Sequence, residues 1–206
     1  MYPEECKNIK DVVRATYHKS MIRDLMSKEK EYSYSLFMHG IATAVYAGAV
    51  AKLLMYQDNL TNVTLDQIVA GAMIHDIGKV YINHAIIDKT GKLTENELGQ
   101  IKMHPVLGAE IVQIHDPVVH NIIRGHHEKM NGSGYPDGIT DIPDYVRIVT
   151  IADIYDALTS ARSYKRIYTH KEAIKIMRKE AATGQIDMDI LCGLDLVINN
   201  GALARK

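Results

Sequence analysis

A chain of 206 residues, 47% of them hydrophobic, is long enough to bury roughly 70% of its unfolded surface as one domain, so its core needs no disulfide or metal staple. With 24 Lys and Arg against 25 Asp and Glu, the formal net charge of −1 excludes a globally basic binder of nucleic acid polymers and an acidic solvating chain; an anionic partner must be met by a local patch. Cys6 and Cys192 are the only two cysteines and show no CxxC spacing, which argues against a disulfide framework, a zinc ribbon or an iron–sulfur site and fits a reducing cytoplasm.

The N-terminus, MYPEECKNIKD, is charged where a secretory signal is apolar. Residues 1–30 are expected to form a helical extension that docks on the core or dimerises, ahead of a main domain over 31–206. Helical periodicity dominates, no run alternates as a half-buried strand would, and the fold class is all-α. The segment from about Ser35 to Gln57 is apolar on most faces, as a central buried helix is. Its longest apolar stretch, Ile41 to Tyr56, contains Lys52 and is too short to span a bilayer comfortably, so no membrane contact is expected.

Three capping boxes, Thr64-x-x-Gln67, Thr94-x-x-Glu97 and Thr169-x-x-Glu172, open helices near 65–77, 95–103 and 170–181. Pro105 should push His104 out of the α region and start a helix to about Ile114, and Pro117 one to about His127. Asn131-Gly-Ser-Gly-Tyr-Pro-Asp-Gly138 breaks the helical pattern, which resumes from about Tyr145 to Ser160. No repeat or linker marks a second domain.

Ten histidines are the one odd count, about twice what an average chain of this size holds. On a helix, His75 and Asp76 straddle one edge and Lys79 returns to it at i+4 and i+3; alone, the trio is equally well a structural ion pair. His126-His127-Glu128 ends a helix just before the glycine-rich loop. Asp153 and Asp156 sit in the apolar run IVTIADIYDAL, where unpaired carboxylates are costly; metal ions, or Arg162 and Lys165, can balance them. His39 and His104 taken singly are more often structural than functional. Taken together, His39, His75, Asp76, His104, His126, His127 and Asp153 offer five imidazoles and two carboxylates without a thiolate, a set suited to borderline divalent ions. Seven ligands exceed what one open ion takes, so two ions are implied, a pair that generates hydroxide at neutral pH and clamps a phosphoryl group.

The ordered series His39, HDIGK at 75–79, HPVLGAEI at 104–111, HHEKMNGSGYPDG at 126–138, IADIYDALTSARSYK at 151–165 and GQID at 184–187 resembles the HD-GYP subgroup of HD-domain metal-dependent phosphohydrolases, from about Glu31 to Asp189. The resemblance implies a helical bundle of about seven to nine helices whose bi- or trinuclear centre hydrolyses cyclic di-GMP to linear pGpG, and sometimes on to GMP, through a hydroxide bridging the metals. Carried over, those seven residues are the metal ligands, with Asp76 bridging two ions and acting with Lys79 in catalysis. Lys79, Gly134, Tyr135, Pro136, Asp156, Arg162 and Lys165 are assigned to the substrate. For Tyr135 a buried loop anchor and a ligand-stacking role weigh equally.

Family members with a third ion carry Glu four residues before the first histidine, where this chain has Ser35. Two ions are therefore expected, iron or manganese first, with zinc, nickel or cobalt also accommodated. The GYP loop has been linked in the family to contact with diguanylate cyclase domains, and a homodimer is a further expectation. The competing readings are a phosphohydrolase for another cyclic dinucleotide or a nucleotide, and a cyclase-interaction module of low activity. His18, His84, His115, His120 and His170 receive no role.

Overall fold

The computed structural model describes residues 8–57, 59–60, 62–112, 116–160 and 166–201, and among the described residues every regular element is helical. The described residues form eleven α-helices and one 3-10 helix, nine of the α-helices beginning at or after Tyr34. The first two, α1 (Ile9–Tyr17) and α2 (Ser20–Tyr32), place Ile9, Val12 and Val13, then Ile22, Leu25 and Met26, in the same core as the rest of the chain. That spacing puts each apolar set on one helix face, so α1 and α2 both pack into the core.

The core is organised around α3 (Tyr34–Tyr56), against which α1, α2, α4 (Leu65–Met73), α9 (Asp144–Thr159) and α11 (Met188–Asn199) all pack. Small residues allow so many neighbours: Gly40, Ala44, Ala47, Gly48 and Ala51 are all buried. Taken over all 23 residues, with an 18-residue window of mean hydropathy 1.4, α3 is long and apolar enough to cross a membrane by length and composition, although its apolar stretch from Ile41 to Tyr56 is shorter. Here it is the central helix of the bundle, with half of its apolar window buried.

All three capping boxes form, opening α4, α6 (Glu95–Lys102) and α10 (His170–Ala182). Three boundaries differ from expectation. Helix α4 stops at Met73 rather than 77, and the chain turns through Ile74, His75 and Asp76 into the 3-10 helix Ile77–Tyr81. The short α5 (His84–Ile87) follows. His104 is helical, the first residue of α7 (His104–Ile111), despite the proline after it. Pro105 lies in the first turn, where a missing N–H breaks no bond, and the His104 ring is anchored on the Ile101 carbonyl at 2.7 Å, which outweighs the local preference. Helix α8 (Pro117–Gly125) ends one residue before His126. The helix α11 was not anticipated; Asp187 caps it by accepting from the amides of Asp189 (2.9 Å) and Ile190 (3.1 Å) and ties it to α9 through Arg147.

Among the described glycines, the least room for a side chain is at Gly78. A Cβ there would stand 2.0 Å from the His104 carbonyl oxygen and 2.6 Å from the Gly108 amide nitrogen, both rigid backbone atoms. Gly78→Ala is therefore expected to destabilise the fold by at least about 1–3 kcal/mol, read as a lower denaturation midpoint at unchanged slope; wild-type stability would show that the 3-10 helix and α7 can part.

Candidate metal centre

The seven predicted ligands come from five places in the chain and converge. His39 lies in α3, His75 and Asp76 in the turn after α4, His104 at the start of α7, His126 and His127 just after α8, and Asp153 in α9. Two groups form: Asp76, His104, His126 and His127 on one side, and His39, His75 and Asp153 on the other, the donor atoms of each lying within 4.8 Å of one another. All are buried except His127, which is half-buried.

The inward aim of the rings follows from what lies behind them. The Nδ1 of His75 donates to the Ala72 carbonyl (2.8 Å), that of His104 to Ile101 (2.7 Å) and that of His126 to Ile123 (2.8 Å). Each acceptor is the carbonyl three residues earlier, in the last turn of α4, α6 or α8, where no amide follows within the helix. These bonds assign the proton to Nδ1 and leave Nε2 as a lone pair facing the centre. His39 follows the same logic with a carboxylate behind it: its Nδ1 lies 2.6 Å from Asp156 Oδ2. Thr150 of α9 donates to the His126 carbonyl at 2.9 Å and so holds the histidine pair against α9.

With these tautomers the interior is a set of facing lone pairs. His104 Nε2 and His126 Nε2 are 3.1 Å apart, and Asp76 Oδ1 is 3.1 Å from the first and 3.7 Å from the second. Across the centre, Asp76 Oδ2 is 3.5 Å from His75 Nε2 and 3.8 Å from His39 Nε2, while Asp153 Oδ1 is 2.9 Å from His39 Nε2. His75 Nε2 and Asp76 Oδ1 are buried with no hydrogen-bond partner. Buried acceptors without donors are costly, and a cation in each group would satisfy them. The residues present therefore fit divalent metal ions, with Asp76 offering one oxygen to each group.

The electrostatics agree. Burial pulls the His104 imidazole down to about 4, keeping it neutral as a ligand must be, and burial likewise lowers His75 and His127. Burial alone would raise the Asp76 carboxyl, yet the Lys79 ammonium holds it well below the usual carboxylate range. The Lys79 ammonium lies 2.5 Å from Asp76 Oδ2 with its side chain 18% exposed. The convergence of His75, Asp76 and Lys79 thus holds, on a turn and a 3-10 helix rather than a continued α-helix.

Of the residues assigned to substrate, Gly134, Tyr135 and Pro136 lie at the rim. The Tyr135 ring stacks on His127 with centroids 4.7 Å apart. Glu128 supports this loop: it is 2% exposed, and its Oε1 accepts from the amides of Asp137 (2.6 Å) and Gly138 (3.1 Å). Gly134 rides directly on it, because a Cβ there would be 2.5 Å from Glu128 Cα. Asp156 requires correction. It is 1% exposed and lies behind His39, with Oδ1 accepting from Ser160 Oγ, so it orients a ligand instead of touching a substrate. Arg162 and Lys165 lie outside the described residues. Two contributors escaped the sequence reading: Glu128 as a loop anchor, and Glu29, a buried carboxylate in α2 whose surroundings include Asp76 and Lys79.

Comparison with known proteins agrees with this geometry. The family model described as "HD domain" matches residues 20–190. The chain is 40% identical over 131 residues to the cyclic di-GMP phosphodiesterase response regulator RpfG of Xanthomonas campestris pv. campestris, covering 61% of this chain and 35% of that protein. It is 33% identical over 165 residues to the 3'3'-cGAMP-specific phosphodiesterase 3 of Vibrio cholerae, covering 78% and 35%. The chain thus spans about a third of the length of these relatives. In fold it is similar to the HD domain of the L. monocytogenes phosphodiesterase PgpH in complex with cyclic-di-AMP, at a TM-score of 0.62 and 19% identity, covering 89% of this chain and 98% of that one.

Asp156→Asn keeps the volume but removes the charge that orients the His39 ring. It is expected to weaken metal binding about 10- to 100-fold, measured by competition with a chromogenic chelator, with little change in the melting temperature of the metal-free protein. Unchanged affinity would remove Asp156 from the support of the centre.

Proposed function

The chain belongs to the HD-domain family, of the HD-GYP type that its motifs resemble, and from that membership we propose that it is a metal-dependent phosphodiesterase that opens cyclic di-GMP to linear pGpG. The observation that carries the reading is Asp76: one buried carboxylate between two groups of imidazole and carboxylate donors, with its Oδ1 and the Nε2 of His75 buried without a hydrogen-bond partner. Divalent ions held there supply Lewis acidity toward phosphoryl oxygens and a deprotonated water at neutral pH. Imidazole and carboxylate donors without thiolate suit iron or manganese, and accept zinc, nickel or cobalt. Two groups, with a hydroxyl at Ser35 instead of a carboxylate, favour two ions.

The chain's own residues then do the rest. Half-buried His127 and Tyr135 and partly exposed Lys79 mark the open side, where a phosphodiester can approach. The Lys79 ammonium neutralises charge on a non-bridging oxygen as it builds up. The nearly neutral chain offers no general attraction for a dianionic ligand, so capture depends on the centre itself and on Lys79, with Arg162 and Lys165 as further cations. The loop anchored by Glu128, and by Arg124 gripping Asp137 through two bonds of 2.7 Å, forms a fixed wall, and we assign to its outer surface the contact with a diguanylate cyclase domain.

Similarity to phosphodiesterases named for 3'3'-cGAMP favours one second reading, hydrolysis of that mixed cyclic dinucleotide. Protein prepared anaerobically with iron or manganese should turn over cyclic di-GMP faster than 3'3'-cGAMP in a competition assay; the reverse order supports the second reading. Asp76→Ala should lose bound metal, by elemental analysis, and all turnover together. Retained activity, or a metal-loaded wild type inert toward every cyclic dinucleotide, overturns the proposal.

A further inference from the structure

Glu29 continues the buried stripe of α2 formed by Ile22, Leu25 and Met26. It is 1% exposed, and both its carboxylate oxygens are buried without a hydrogen-bond partner. So costly a group calls for an explanation. Helix α2 packs against the 3-10 helix that carries Lys79, in a register set by Tyr32, whose hydroxyl donates to the Ile82 carbonyl at 2.9 Å. Glu29 lies three residues before Tyr32 on α2, and Lys79 lies three residues before Ile82 on the element that α2 packs against. The charged groups that act on Glu29 are Asp76, which repels its ionised form, and Lys79, which favours it; burial outweighs both and keeps the carboxyl well above its ordinary range.

Lys79, meanwhile, occupies an oxygen that the metal reading needs. Its ammonium is 2.5 Å from Asp76 Oδ2, the oxygen turned toward His75 and His39. A divalent ion in that group and an ammonium on the same oxygen repel each other strongly at such range. We propose that Glu29 is the alternative seat of Lys79: without metal the ammonium rests on Asp76 and Glu29 keeps its proton; with the His39 group loaded the ammonium turns to Glu29, which releases that proton to solvent and pairs with it, freeing Asp76 Oδ2. Glu29 is thus a positioning residue that lets the second ion bind and keeps Lys79 at the rim. The inference rests on the metal-centre reading.

A double-mutant cycle on metal affinity tests it. Glu29→Gln is expected to weaken binding of the second ion about tenfold, the scale of coupling between contacting charges, because Lys79 then stays on Asp76. In a Lys79→Met background no competitor remains, and Glu29→Gln should leave affinity unchanged. The metal-free Glu29→Gln protein should melt at or above the wild-type temperature, since the amide removes an unpaired buried carboxyl. Equal losses in both backgrounds, no loss in either, or a marked fall in metal-free stability overturn the inference. A wild type that takes up metal without such coupling overturns this inference alone; a wild type that takes up none overturns the metal-centre reading and this inference together.

Discussion

The structure depends on one carboxylate held between two sets of imidazole lone pairs. Asp76 has no room to avoid its neighbours: each oxygen faces Nε2 atoms whose protons are committed to the other side of the ring. Such an arrangement is repulsive in isolation, and burial strengthens the repulsion. It persists because the surrounding helices determine every ring independently of the centre. The core supplies this rigidity, and the central helix α3 fixes the His39 end of the site while α9 fixes the Asp153 end.

Around this interior the polar network is layered. Asp156 and three backbone carbonyls hold the rings, Thr150 holds the backbone of His126, and Glu128 holds the loop that covers His127. None of these groups meets a ligand, yet each removes a freedom that the donor atoms would otherwise have. Acidic residues accordingly divide by neighbour: Asp76 and Asp153 face imidazole lone pairs, Asp156 an imidazole N–H, Glu128 backbone amides, and Glu29 a buried surface beside a lysine.

Much of this was legible in the sequence. The capping boxes announce three helix starts because their chemistry is local, and the histidine and aspartate series names a metal centre because few other arrangements use that set of side chains in that order. What the sequence could not show depends on distant contacts. Asp153 and Asp156 look alike in an apolar helix, and only the position of the His39 ring separates a donor from its support. The proline after His104 predicts a break that the Ile101 carbonyl prevents. Helix α11 starts at an Asp187 read only as part of GQID. Glu29 looks like any surface charge until Ile22, Leu25 and Met26 reveal which face of α2 is buried.

The helix ends carry a consequence for how this chain tolerates change in length. His75, His104 and His126 each close a helix by binding a carbonyl three residues back, so the end of the helix and the direction of the ligand are set by the same bond. The connection from Ile82 to Leu93 touches the centre through no ligand and could gain or lose residues at its exposed tip. One residue inserted between Ala72 and His75, or between Ile123 and His126, would rotate a ring by about 100° and disassemble the centre with every ligand still present.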